Sequence, residues 1–166
     1  MDRRALSFGL AGLIVVLDRL AKLWIEKNVA LWDSFHVIPG FFDIVHTQNR
    51  GMAFGLFNDS TSPWRTFLLV GVTGVVLVFI IVMIWKLPEQ AIRYQKLTPV
   101  SLGLILGGAL GNFYDRIVAG RVTDFLDLYA GDWHWPAFNV ADSAITIGAI
   151  LMAFELLMTP PAEKET

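Results

Sequence analysis

"FLLVGVTGVVLVFIIVMIW", Phe67 to Trp85, contains no charged residue. As an α-helix it would be about 29 Å long, close to the ~30 Å thickness of a bilayer's hydrocarbon core. Such a segment, apolar on all sides, is satisfied only by lipid or by complete burial in a large core. Three further runs follow the same pattern: "PVSLGLILGGALGNFY" (Pro99–Tyr114), "ALSFGLAGLIVVL" (Ala5–Leu17) and "AFNVADSAITIGAILMAFELLM" (Ala137–Met158), the last carrying Asp142 and Glu155. Charged residues make up 17% of the chain, against about 25% in a soluble domain, and the mean hydropathy is +0.56. The expected fold is therefore a membrane all-α one, with four transmembrane helices.

"MDRR" before an apolar run has the form of a signal peptide, but "DRLAKLWIEK" follows in place of a small-residue cleavage site. The first helix is read as retained. Four spans put both termini on one side. The short loop from Lys86 to Lys96 holds three basic residues, Lys86, Arg93 and Lys96, whereas the segment from Glu26 to Arg65 is long and dilute in charge. The positive-inside rule then places both termini in the cytoplasm. The outer stretch "SFHVIPGFFDIVHTQNRGMAFGLF" is rich in Val, Ile and Phe and broken by Pro39, Gly40 and Gly51. It reads as short strands with turns on the outer membrane face. Residues 1–158 are expected to form a single membrane-embedded domain, with 159–166 a polar, disordered cytoplasmic tail.

Gly103, Gly107 and Gly111 recur every four residues in the third helix. Ala144 and Gly148, then Ala149 and Ala153, do so in the fourth. Small residues at this spacing allow close helix approach, so helices three and four are expected to pack through them. The plainer reading is that glycine is simply common in membrane helices.

A net charge of −2 offers no basic face for nucleic acid. Without cysteine there is no disulfide, thiolate nucleophile or Cys-ligated zinc. His36, His46 and His134 lack metal-ligand spacing and read as interfacial polar residues. The serines lack a base-bearing motif. The acids remain. Asp142 lies in an otherwise apolar helix, where a carboxylate costs on the order of 2.5–3.5 kcal/mol at the bilayer centre. It calls for a cavity, a partner, or a helix-start position from which it reaches water. Asp124 and Asp127 are the candidate partners. If their segment is helical, both face one way; if it is a strand, only one can face Asp142. Two close carboxylates push their pKa values apart, giving an acid and a base at neutral pH. A proton-relaying transporter or a non-catalytic scaffold would use the same residues.

"GGALGNFYDRIVAGRVTDFLDLY" and "FNVADSAITIGAILM" resemble the signature blocks of the bacterial lipoprotein signal peptidases, or signal peptidase II, of the form N-x-x-D-R…V-x-D and F-N-x-A-D. The matching residues are Asn112, Asp115, Arg116, Val122 and Asp124, then Phe138, Asn139, Ala141 and Asp142. "LDRLAK" (Asp18, Lys22) and "QNRGMAFG" (Asn49, Gly51, Ala53) match two further blocks, in family order. The resemblance implies an intramembrane aspartyl endopeptidase of the bacterial cytoplasmic (inner) membrane, with Asp124 and Asp142 as the catalytic dyad and an active site near the outer face. It implies four helices with a small extracytoplasmic β-cradle, and no metal or other cofactor. The implied substrate is a prolipoprotein already carrying a diacylglyceryl group on its cysteine, cut just before that cysteine. Asn49, Gly51, Asn112, Arg116 and Asn139 are implied substrate-binding residues that line or support the site, and Asp115 is implied to be structural. The partners are then lipidated prolipoproteins and membrane lipid; the sequence leaves the oligomeric state open, with a monomer the expectation. Two positions depart from the family pattern: Arg19, where Gln is usual, and Met52, where Ala is usual. Asp127 is left without a role.

Overall fold

The computed structural model describes residues 2–51, 63–88 and 96–158. Met52, Ala53, Arg93 and the tail 159–166 lie outside the described residues. In chain order the elements are α1 (Arg3–Asn28), β1 (Ser34–Ile38), β2 (Phe42–Asn49), α2 (Pro63–Trp85), α3 (Thr98–Ala119), β3 (Val122–Ala130), β4 (Trp133–His134) and α4 (Val140–Met158). The chain is mostly helical, with one small antiparallel sheet in the order β1-β2-β3-β4.

The helices extend beyond or start inside the apolar runs for local reasons. α1 does not stop at Leu17 but continues to Asn28. Asp18 and Lys22 are one helical turn apart and pair at 2.7 Å, so the charged stretch stays helical. α4 starts at Val140, because Asn139 caps it. α3 ends at Gly120, whose φ of 66° is left-handed and whose N–H returns to the Arg116 carbonyl at 3.1 Å; this αL residue turns the chain directly into β3.

Among the described residues, two helices are long and apolar enough to cross a membrane by length and composition alone, Phe67–Trp85 and Val140–Met158. α1 falls short through Asp18, Arg19, Lys22 and Glu26, and α3 through its glycines, Asn112 and Asp115. On α2, Phe67, Val75, Val78 and Phe79 are all exposed, the first at 77%. Such a surface suits lipid and not water.

α3 is the central helix and packs against α1, α2 and α4. Leu102, Leu106 and Ala109 meet Ala11 of α1 and Leu77, Ile80 and Ile84 of α2 in the main core. The glycine ridge is where the expectation needs correcting. A Cβ on Gly103 would lie 2.7 Å from the Ser7 carbonyl oxygen, and one on Gly107 would lie 2.7 Å from that of Ala11. Both glycines therefore admit α1, not α4. The α3–α4 contact uses Gly108, whose Cβ would overlap the Ala141 carbonyl, and Gly148, whose Cβ would lie 2.8 Å from the Ser101 carbonyl. Gly111 touches both neighbours, at Asp18 and Ala141. A four-residue ridge serves one helix face, and α3 has two packed faces.

Polar side chains tie helix ends to neighbouring helices. Glu155 of α4 accepts the Leu97 N–H at 2.5 Å and the Thr98 hydroxyl at the start of α3. Ser7 of α1 donates to the Pro99 carbonyl at 2.7 Å. His46 is buried, not interfacial: its Nδ1 lies 2.8 Å from the Val29 carbonyl, fastening β2 to the end of α1. His36 and His134 lie against Asp43 and Asp127, each at 2.8 Å.

Candidate active site

The site begins at the entrance to α4. Asn139 is the N-cap: its Oδ1 accepts the Asp142 N–H at 2.9 Å and its carbonyl accepts the Ser143 N–H at 3.1 Å. Asp142 thus sits in the first turn, where the helix dipole favours a carboxylate. With Oδ1 committed, the Asn139 amide nitrogen must face the other way. It donates to Asp124 Oδ1 at 2.7 Å. One buried side chain links the two acids.

Asp124 comes from β3. Because the segment is a strand, Val122, Asp124 and Leu128 share one face and Asp127 takes the other. Of the two candidate partners for Asp142, the strand geometry turns Asp124 toward it. Asp127 points away, against His134. Asn49, at the end of β2, donates to Asp124 Oδ2 at 3.0 Å. Its own Oδ1 accepts the Gly51 N–H at 2.9 Å, and Arg116 Nη2 donates to the Gly51 carbonyl at 3.1 Å. Asn112 of α3 donates to Asp142 Oδ1 at 2.7 Å.

Asp124 and Asp142 line a cavity of about 470 Å³. Asn49, Asn112 and Arg116 complete its polar end, and Val122, Leu128, Pro136, Ile145 and Ile147 form apolar walls. Gly51 and Asn139 do not line it. Asn139 is fully buried, its amide nitrogen turned to the Asp124 carboxylate and its oxygen to the Asp142 backbone N–H; Gly51 anchors Asn49 and Arg116. Of the wall residues, Val122 alone belongs to the signature blocks. Val122 and Leu128 were accessible through the period of two with Asp124, whereas Pro136 and Ile145 carry no local signal.

Asp124 is 3% exposed. Burial first, and then the negative charge of Asp142, push its pKa up to about 7, against the pull of the Asn49 and Asn139 hydrogen bonds. Near neutral pH it can therefore hold or release a proton beside a second carboxylate, which is what paired acid–base chemistry needs. Among the described residues, no three or more His, Asp or Glu side chains are grouped to hold a metal ion.

The sequence profile described as signal peptidase (SPase) II matches residues 10–158. The chain belongs to the signal peptidase II family. Among its relatives, a lipoprotein signal peptidase of Solibacter usitatus is 53% identical over 156 residues, covering 94% of this chain and 93% of that protein. One from Yersinia pseudotuberculosis is 43% identical over 155 residues, covering 93% and 88%. The fold is that of two solved bacterial membrane enzymes. One has a TM-score of 0.82 at 32% identity, covering 96% of this chain and 92% of the other. The second has a TM-score of 0.79 at 33% identity, covering 93% and 94%. Signal peptidase II membership and the apolar, outward-facing helices make this a membrane-embedded protein.

Proposed function

We propose that the chain is an aspartyl endopeptidase acting within the membrane, which removes the signal peptide from diacylglyceryl-modified prolipoproteins by cutting before the lipidated cysteine. Asp124 and Asp142 are its dyad. What carries this reading is that the two carboxylates come from separate elements and face one cavity, with Asn139 donating to the Asp124 carboxylate while it accepts the backbone N–H of Asp142.

In this mechanism Asp124 enters protonated and Asp142 ionised. A water between them loses a proton to Asp142 as its oxygen attacks the scissile carbonyl carbon. The carbonyl oxygen takes the Asp124 proton, giving a neutral gem-diol. Asp142 then delivers its proton to the peptide nitrogen, Asp124 recovers one from a gem-diol hydroxyl, and the C–N bond breaks. The products are a carboxylic acid on the signal peptide and a free amine on the lipidated cysteine. Asn49, Asn112 and Arg116 reach the cavity and are placed to meet the substrate backbone, while Asn139 and Gly51 support from behind. The apolar walls suit the lipid and the signal helix. The chain's lack of cysteine fits a reaction in which the lipidated cysteine belongs to the substrate.

All four helices are read as spans. Their lengths of 26, 23, 22 and 19 residues correspond to about 29–39 Å, enough for a ~30 Å hydrocarbon core. The charges of α1 and α3 are tolerated because they pair with one another inside the bundle. Residues 1–158 then form one domain of the bacterial inner membrane, with the sheet on the outer face and both termini in the cytoplasm.

The test uses purified protein in detergent with a lipidated prolipoprotein peptide. Wild type should cleave it without any ion gradient, and Asp124→Asn and Asp142→Asn should each abolish cleavage while still folding. A folded variant with near wild-type turnover would remove its residue from the dyad.

A further inference from the structure

Lys22 is fully buried in the bundle. Its ammonium has three N–H donors, and each has a partner: Asp18 Oδ2 at 2.7 Å, Asp115 Oδ2 at 2.7 Å and Asn112 Oδ1 at 3.1 Å. Asp115 is also held by Arg19 at 3.1 Å, whose other partner is the exposed Glu26 at 3.7 Å, so both buried carboxylates have a cation. A buried cation with full hydrogen bonding costs far less than an unpaired one, and a structural role would end there.

This cluster does not end there. Because the ammonium claims the oxygen of Asn112, the amide nitrogen must point the opposite way, to Asp142 Oδ1 at 2.7 Å. The flipped amide would set N–H groups against an ammonium and an oxygen against a carboxylate. A second route runs through Asp18, whose Oδ1 accepts the N–H of Ala141 at 3.0 Å, one residue before Asp142. Both routes start at Lys22 and converge on the first turn of α4.

Two neighbouring carboxylates need something to decide which holds the proton. Asp142 faces Asp124 from β3, Arg116 from α3 and Lys22 from α1, with Asp18 and Asp115 paired behind Lys22. Lys22 acts through space on both acids, as does Arg116, so what separates the two acids is the hydrogen bonding. Asp124 receives only neutral amides, from Asn49 and Asn139. We infer that Lys22 is a positioning residue for catalysis: acting through Asn112 and through Asp18 and Ala141, it orients the Asp142 carboxylate and keeps it ionised, making Asp142 the base and leaving Asp124 the acid. This rests on the aspartyl reading above.

The test is the pH dependence of kcat/KM for Lys22→Gln/Asp115→Asn, which removes one buried charge of each sign and leaves the net charge of the cluster unchanged. The acidic limb should move up by about one pH unit or more, kcat should fall roughly ten- to hundredfold, and KM should hold. If this variant does not fold, Asn112→Ser cuts the link while keeping both Lys22 ion pairs, and the same shift is expected. An unmoved acidic limb in the folded variant overturns the proposal, whatever the loss of stability. Asp142→Asn, assayed alongside, separates the two failures. If it is inactive while the limb stays put, only the role of Lys22 falls. If it is active, the aspartyl reading falls and takes this role with it.

Discussion

Asn139 donates its side-chain N–H to Asp124 across 2.7 Å from a position at the head of α4. The same amide caps a helix and holds a proposed catalytic carboxylate, and the two duties can be separated. Asp caps helices about as well as Asn. Asn139→Asp should therefore keep α4 capped, yet set a third carboxyl group against Asp124 at a fully buried position, so that any fall in melting temperature comes from the buried acid and not from a lost cap. Its cleavage rate should fall by roughly a hundredfold or more. Asn139→Ala should lose the cap as well, at a further cost of about 1 kcal/mol. Thermal unfolding and peptide cleavage measured on one preparation distinguish the two effects.

The raised pKa of Asp124, about 7, fixes the sign of two pH effects. An unfolded aspartate titrates near ~3.9, so between that value and about 7 the folded chain holds a proton that the unfolded chain has lost. Stability is then fully present below the unfolded pKa and declines as pH rises through the folded one. The melting temperature should fall from about pH 5 to about pH 8, with a shallower slope in Asp124→Asn. Activity should also decline on the alkaline side as the acid loses its proton. Asn49→Leu removes an N–H donated to an Asp124 oxygen, which favours the charged form, so that limb should move to higher pH.

Much of the site was legible because its chemistry is concentrated in charged residues within apolar runs. Asp142 stood out as a carboxylate in a greasy helix, and Asp124 as one of two acids whose spacing opposes them on a strand. What decided between Asp124 and Asp127 was the secondary structure of Val122–Ala130, and that depends on pairing with β2, far away in sequence. The sheet was half visible: β1 and β2 announced themselves through Val, Ile and Phe between turns, whereas the β3 segment fits a helix or a strand equally on local grounds. The glycine ridge was visible as spacing, but spacing does not say which neighbour it admits. The Lys22 cluster joins residues about ninety positions apart, so no local pattern connects them.

The corrected glycine contacts make a sharp comparison. Gly108→Ala would drive a methyl into the Ala141 carbonyl, next to Asp142. It should lower the melting temperature and cut activity together. Gly103→Ala presses on the Ser7 backbone of α1, and should lower stability with less effect on turnover. Gly71→Ala, in α2, meets nothing within 4 Å; it should be neutral, or stabilising by up to ~1 kcal/mol through better helix propensity. If all three behaved alike, the packing of α3 between α1 and α4 would be wrong.

The proposed topology follows from the even number of spans and the basic loop after α2, and it has a direct test because the chain has no native cysteine. Ser34 begins β1, Ala130 ends β3, and Lys86 is exposed just after α2. Ser34→Cys and Ala130→Cys should react with a membrane-impermeant maleimide in intact spheroplasts. Lys86→Cys should react only after lysis. The sheet that carries Asp124 would then face outward, where a translocated prolipoprotein presents its cleavage site. The reverse pattern would put both acids on the cytoplasmic side, out of reach of that site. It would overturn the proposed substrate along with the topology, and a proton-relaying role for Asp142 would become the better account.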